Sequence, residues 1–130
     1  MWLGETDAAI RDLELALRID PELLAMDRFA LSLAYYLKGR YDAAIEQAAL
    51  NLQRTEGANF SRVVLAAAYA EQKKESEAAR VVAAIRRLDP TFDAQDFGSK
   101  FLRSDDLARL RDGMHKAGLY ADGASQHSDP

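Results

Sequence analysis

Along the first ninety positions, apolar residues return at intervals of three and four. Ile10, Leu13, Ala16 and Leu17 form one such stripe, Leu24, Leu31, Ala34 and Tyr35 a second, and Leu65, Ala68 and Tyr69 a third. This spacing predicts amphipathic helices with one face turned to a core. The interruptions are as regular as the stripes. Gly39 stands where a helix would end, and Pro21 and Pro90 follow Asp20 and Asp89, where a helix cannot run on.

The stripes are copies of one another. Asp-Ala-Ala-Ile occurs at 7–10 and again at 42–45, each time three residues after a glycine, Gly4 or Gly39. Tyr35, Ala34 and Ala44 recur 34 positions later as Tyr69, Ala68 and Ala78, and Arg-Ile-Asp-Pro before position 22 answers Arg-Leu-Asp-Pro before position 91. The small residues Ala9, Ala44 and Ala78 let two helix backbones come close, so each unit reads as two antiparallel helices. The units are a half repeat at 4–21, a repeat at 25–56 and a repeat at 59–90.

On Leu31, Tyr35, Gly39, Tyr41, Ala44 and Ala48, and on Leu65, Tyr69, Ala78, Val82 and Pro90, the chain resembles the tetratricopeptide repeat family, with its helix–turn–helix unit of about 34 residues. It departs from that pattern at several positions. Arg28 and Arg62 stand where the family often has Trp, Asn51 replaces a small core residue, Glu56 the closing proline, and Lys73 the turn glycine. The resemblance implies an all-α superhelix of helical hairpins, about two and a half repeats long, closed by a C-terminal helical cap. In the first unit only the second helix is complete, with Trp2 and Leu3 as the stub of its partner. Two explanations fit: a piece of a longer protein, or a face that pairs with another copy. We favour the former, with opportunistic pairing.

From Thr91 the repeat gives way to a different pattern. Thr91 is expected to cap a short helix carrying Phe92 and Phe97. Ser104 is expected to cap a second, with Asp105 and Asp106 in a first turn that favours acids, then Leu107, Leu110 and Met114 on one face and Gly118 at the end. Positions 91–119 read as capping helices and 120–130 as a disordered tail. The last two repeats and this tail are similar to the C-terminal end of bacterial signalling proteins that join a class III adenylate/guanylate cyclase, or a transcriptional regulator domain, to a tetratricopeptide array. That likeness implies a place in a signalling protein and carries over none of the cyclase's chemistry.

Composition narrows the function classes. Of the 130 residues 48% are hydrophobic and 29% charged, which suits a folded domain. A net charge of −4 offers no general field for nucleic acid or anionic lipid. There is no cysteine, hence no disulfide, thiolate metal site or cysteine nucleophile. The opening Met-Trp-Leu-Gly-Glu-Thr-Asp lacks the basic and apolar regions of a signal peptide, and the apolar run 63–70 is too short to span a bilayer, so a cytoplasmic location is expected. The two histidines, His115 and His127, have no second ligand or base placed near them. Asp89, Asp93 and Asp96 fail the calcium-loop spacing, and no phosphate loop or nucleophile elbow occurs. No enzyme, metal or cofactor is expected.

What remains is a surface. In the tetratricopeptide family the first helices of successive units line a concave groove. The resemblance places Met26, Phe29, Leu33, Tyr36 and Leu37, then Phe60, Val63, Ala67, Ala70 and Glu71, on that groove. The set is apolar and aromatic, with Phe29, Tyr36 and Phe60 as candidate anchors. It lacks the lysine and asparagine set that would clamp a peptide carboxylate. The expected function is protein–protein interaction or scaffolding through this groove, as the regulatory C-terminal region of a bacterial signalling protein, with a protein or peptide partner and neither nucleic acid nor membrane. The alternative is homo-oligomerisation through the half repeat and groove. A plainer reading also stands: Phe29, Leu33 and Tyr36 are core, or lie beneath a missing repeat or second subunit.

Overall fold

A computed structural model describes residues 6–20, 25–54, 59–93, 97 and 104–119. These form six helices and no strand among the described residues: α1 (Thr6–Ile19), α2 (Ala25–Leu37), α3 (Tyr41–Arg54), α4 (Asn59–Glu71), α5 (Glu75–Leu88) and α6 (Ser104–Ala117). The ends of α2 and α3 recur in α4 and α5 at a displacement of 34 residues, and those of α1 recur in α3 at 35. The protein is all-α and repetitive at the level of its helix ends. Trp2, Leu3 and the tail 120–130 lie outside the described residues, as does Glu56.

The turns inside the two hairpins are the same turn. After α2, the Gly39 N–H donates to Tyr36 O at 2.9 Å and the Arg40 N–H to Tyr35 O at 2.9 Å. After α4, the Lys73 N–H donates to Ala70 O at 3.0 Å and the Lys74 N–H to Tyr69 O at 2.9 Å. Such a cap puts its pivot residue in the left-handed region, which Gly39 enters freely at φ 78° and Lys73 enters as an L-residue at φ 62°. α6 closes the same way, with Gly118 at φ 93° donating to His115 O and Leu119 to Met114 O, both at 3.0 Å.

Each helix packs on the next, α1 on α2, α2 on α3, α3 on α4 and α4 on α5. The small residues sit where backbones meet: Ala9, Ala44 and Ala78 are all buried, as are Ile10 and Leu13, with Ala16 and Leu17 half-buried. α4 has neighbours in α2, α3, α5 and α6, so it must be apolar all round, and Val63 to Ala68 are buried without a break. Polar ties add to the apolar packing of α1 on α2: the Tyr35 hydroxyl donates to Glu14, and the exposed Lys38 and Asp7 lie 3.1 Å apart.

Two departures from the family pattern have a physical account. Asn51 is buried and donates through Nδ2 to Ser61 Oγ at 2.7 Å, pinning α3 to α4. Arg28 is buried and donates to Gln47 Oε1 at 2.8 Å, pinning α2 to α3. Paired polar groups of this kind select one register of sliding helices, because any slip leaves them desolvated and unmatched.

Two expectations about the tail need correction. Thr91 opens no short helix: residues 91–93 are turn and loop, and the Asp89 carboxylate instead accepts from the Thr91 hydroxyl at 2.9 Å and its N–H at 3.3 Å. The local side-chain turn wins over the helix start. Nor does α6 cap the end of the array. It packs chiefly on α4 and only slightly on α5 and α2, whereas α4 packs closely on α3, the second helix of the preceding hairpin. α6 lies along one first helix, α4, and touches the other, α2, only near its C-terminal end.

Candidate functional site

Phe29, Leu33, Tyr36 and Leu37 follow one another at four, three and one residues along α2, and Phe60, Val63, Ala67, Ala70 and Glu71 at similar steps along α4, so each set shares a helix face. α2 packs on α4, and α6 packs on α4 and meets the C-terminal end of α2 at Tyr36 and Leu37. Phe29, Leu33, Tyr36, Leu37, Val63 and Ala67 are buried, Ala70 and Glu71 half-buried, and only Phe60 is exposed, at 47%. Met26 lies in the first turn of α2, its side chain outside the described set. The residues expected to await a partner are therefore covered, and their cover comes from the same chain.

Glycine sets the depth at which α6 sits. A Cβ on Gly113 would fall 1.9 Å from the Tyr36 hydroxyl and 2.9 Å from Ala67 Cβ, so any side chain there must shift the helix or the tyrosine. On either side of this contact Leu110 and Met114 are fully buried, and Leu119 is buried beyond the cap. Polar ties run along the edges. The Tyr36 hydroxyl stands 3.1 Å from the Arg109 carbonyl and 3.1 Å from the Glu71 carboxylate. Arg109 in turn donates to the Leu37 carbonyl at the C-terminal end of α2, where the helix dipole favours a cation. Lys116 bridges Glu71 and Asp112, at 3.0 Å each. Arg86 of α5 donates to the Gly118 carbonyl at 2.9 Å.

At the other end, Phe97 closes an aromatic cluster. Its ring centroid is 6.2 Å from Phe29, 5.4 Å from Phe60 and 5.9 Å from Phe92, and Phe29 and Phe60 are 5.6 Å apart. Tilted and edge-on rings at these separations add to the area they bury.

The electrostatics follow from burial. Desolvation, then the neighbouring Glu71 carboxylate, raises the Tyr36 hydroxyl well above the ordinary tyrosine range. Burial and Glu71 act on Tyr41 in the same direction. Hydrogen bonds to Glu71 and Asp112 hold the Lys116 ammonium charged beyond the usual lysine range. Its side chain is half-exposed, so water screens this ion pair heavily. The shifts at Tyr36, Tyr41 and Lys116 all act to keep a proton in place. Among the described residues no group of three His, Asp or Glu could hold a metal ion, and His115 is exposed in the last turn of α6. No described helix is long and apolar enough to cross a membrane.

Sequence reasoning missed Phe97, Arg109, Gly113 and Lys116 as parts of this site. Gly113 carried a usable signal, since a glycine inside an otherwise good helix costs stability unless a close approach requires it. Away from this site, α1 leaves Leu15 and Ile19 exposed, at 51% and 75%. In comparisons with known proteins, the chain matches no protein-family model and no curated protein sequence.

Proposed function

We propose that this chain is a protein-interaction module of the tetratricopeptide type, whose concave groove between α2 and α4 takes up a helical segment. One observation supports the reading: α6 already packs on α4 and the end of α2, with Leu110 and Met114 buried and polar ties from Arg109 and Lys116. The 34-residue recurrence of helix ends and of turn hydrogen bonds supports a superhelical array of hairpins. The module acts by binding and not by catalysis, in the cytoplasm, as the regulatory or scaffolding end of a bacterial signalling protein. Its partner is a protein or peptide; nucleic acid and membrane are not its targets.

Peptide-display selection on the full chain tests this. Amphipathic helical sequences should enrich, and should lose at least about tenfold in affinity on a Phe60→Asp variant, which puts a charge on the exposed rim of the groove. Enrichment of nothing, or of peptides indifferent to Phe60→Asp, would sink the reading. A second reading, self-association, is favoured by Leu15 and Ile19 on the outer face of α1. Light scattering that finds a monomer at every concentration would dismiss it.

A further inference from the structure

We propose that α6 is a releasable plug, and that the groove's partner is an amphipathic helix carrying the same contact set: a central glycine, apolar residues three before and one after it, and cations four before and three after. In α6 these are Gly113, Leu110, Met114, Arg109 and Lys116. The inference rests on the interaction-module reading and specifies its ligand.

Three observations support it. The fit is particular, since the groove is so shallow over Tyr36 and Ala67 that only a glycine lets a helix backbone settle there. It is complementary at both ends, where the α2 C-terminal carbonyl of Leu37 and the carboxylate of Glu71 each take a cation from the incoming helix. And it is separable from the rest of the fold. α2 and α4 keep α1, α3 and α5 as neighbours without α6, which turns Asp105, Ala108, Asp112 and His115 to solvent and barely touches α5. Phe97 stays anchored against Phe29 and Phe60, and positions 98–103 join it to α6; a connection of that length reaches about 23 Å when extended, enough for α6 to lift off α4 and return.

Tethered in this way, α6 competes as an intramolecular ligand at an effective concentration of roughly millimolar. A partner helix must therefore outbid it, and opening the groove must raise affinity for any such helix.

The test uses the full chain with Gly113→Leu, which evicts its own α6, and a fluorescent peptide of residues 104–119. The variant should keep a cooperative melt, and should bind the peptide at least about tenfold more tightly than the unaltered chain does. A peptide bearing the same Gly113→Leu change should bind neither chain, and Glu71→Gln in the opened chain should weaken binding several-fold. If Gly113→Leu unfolds the protein, or leaves it folded without affinity for the peptide, α6 is structural core and the plug is refuted. If helices selected by display bind both chains alike while the α6 peptide binds neither, the interaction module survives and the plug alone falls.

Discussion

Lys73 occupies a position that the first hairpin gives to a glycine, and the structure isolates what that costs. The caps after α2 and α4 make the same hydrogen bonds, Gly39 and Lys73 both have positive φ, and both are exposed. Neither position is confounded by packing, since a Cβ added at Gly39 meets nothing within 4 Å. Only backbone conformation separates the two turns. An L-residue in the left-handed region loses about 1–2 kcal/mol. Glycine returns about 0.4–1 kcal/mol of that through the greater freedom of its unfolded chain. Lys73→Gly should thus stabilise the protein by about 0.5–1 kcal/mol, and Gly39→Ala should destabilise it by a similar amount. In urea, with a slope of about 2 kcal/mol per molar, the first change raises the midpoint by roughly 0.4 M and the second lowers it equally, the slope itself being unchanged. Lys73→Ala separates charge from conformation, because it removes the ammonium while keeping a Cβ, and should leave the midpoint within about 0.1 M. A midpoint that fails to rise in Lys73→Gly, or rises as much in Lys73→Ala, would refute the reasoning.

Other outcomes follow from the same contacts. Phe29→Ala and Tyr36→Ala, as single changes, should each cost about 3–5 kcal/mol, since both rings are buried, and the double variant should lose its helical circular dichroism signal altogether; retained helicity would mean that neither is core. Ser61→Ala removes the buried acceptor of Asn51 and should cost about 1–3 kcal/mol by urea titration. Alkali should destabilise the fold. Burial, then the Glu14 carboxylate, pushes the Tyr35 hydroxyl up to about 12 from an ordinary 10.0, and Tyr36 is raised as well. Above the unfolded value the denatured chain gives up protons that the native one keeps. Stability is therefore whole below about pH 10 and falls as pH climbs towards about 12. Urea midpoints measured across that window should decline less steeply in Tyr35→Phe.

The repeated part of this fold was legible because its signals are local. Gly39 marks the end of α2, the proline after Asp89 lies just beyond α5, and the unbroken apolar run at 63–68 anticipates a helix enclosed on every side. Helical spacing puts Leu33 with Tyr36 and Val63 with Ala67 on one helix face each, while their choice as a groove came from the family resemblance. What covers them was not legible. Leu110 and Met114 announce that α6 has an apolar face, but periodicity cannot say which surface that face will find. The choice rests on the close approach at Gly113 and on Arg109 meeting a carbonyl 72 residues earlier, and neither is written in any local window. The turn at Lys73 was placed by the repeat alignment against the residue's own conformational preference, which the hairpin around it overrides.

That long separation also has a consequence in time. The hairpins are built from neighbours in sequence and can form as soon as they are made, whereas Tyr36 waits for Arg109, 73 residues later. At about 5–20 residues per second of synthesis, that wait lasts roughly 4–15 s. Every newly made copy thus passes through an interval on the ribosome in which Tyr36 and Ala67 exist without the helix whose Gly113 closes over them. During those seconds Tyr36 has neither the Arg109 carbonyl beside its hydroxyl nor the close cover of Gly113, and its burial is completed only when α6 arrives.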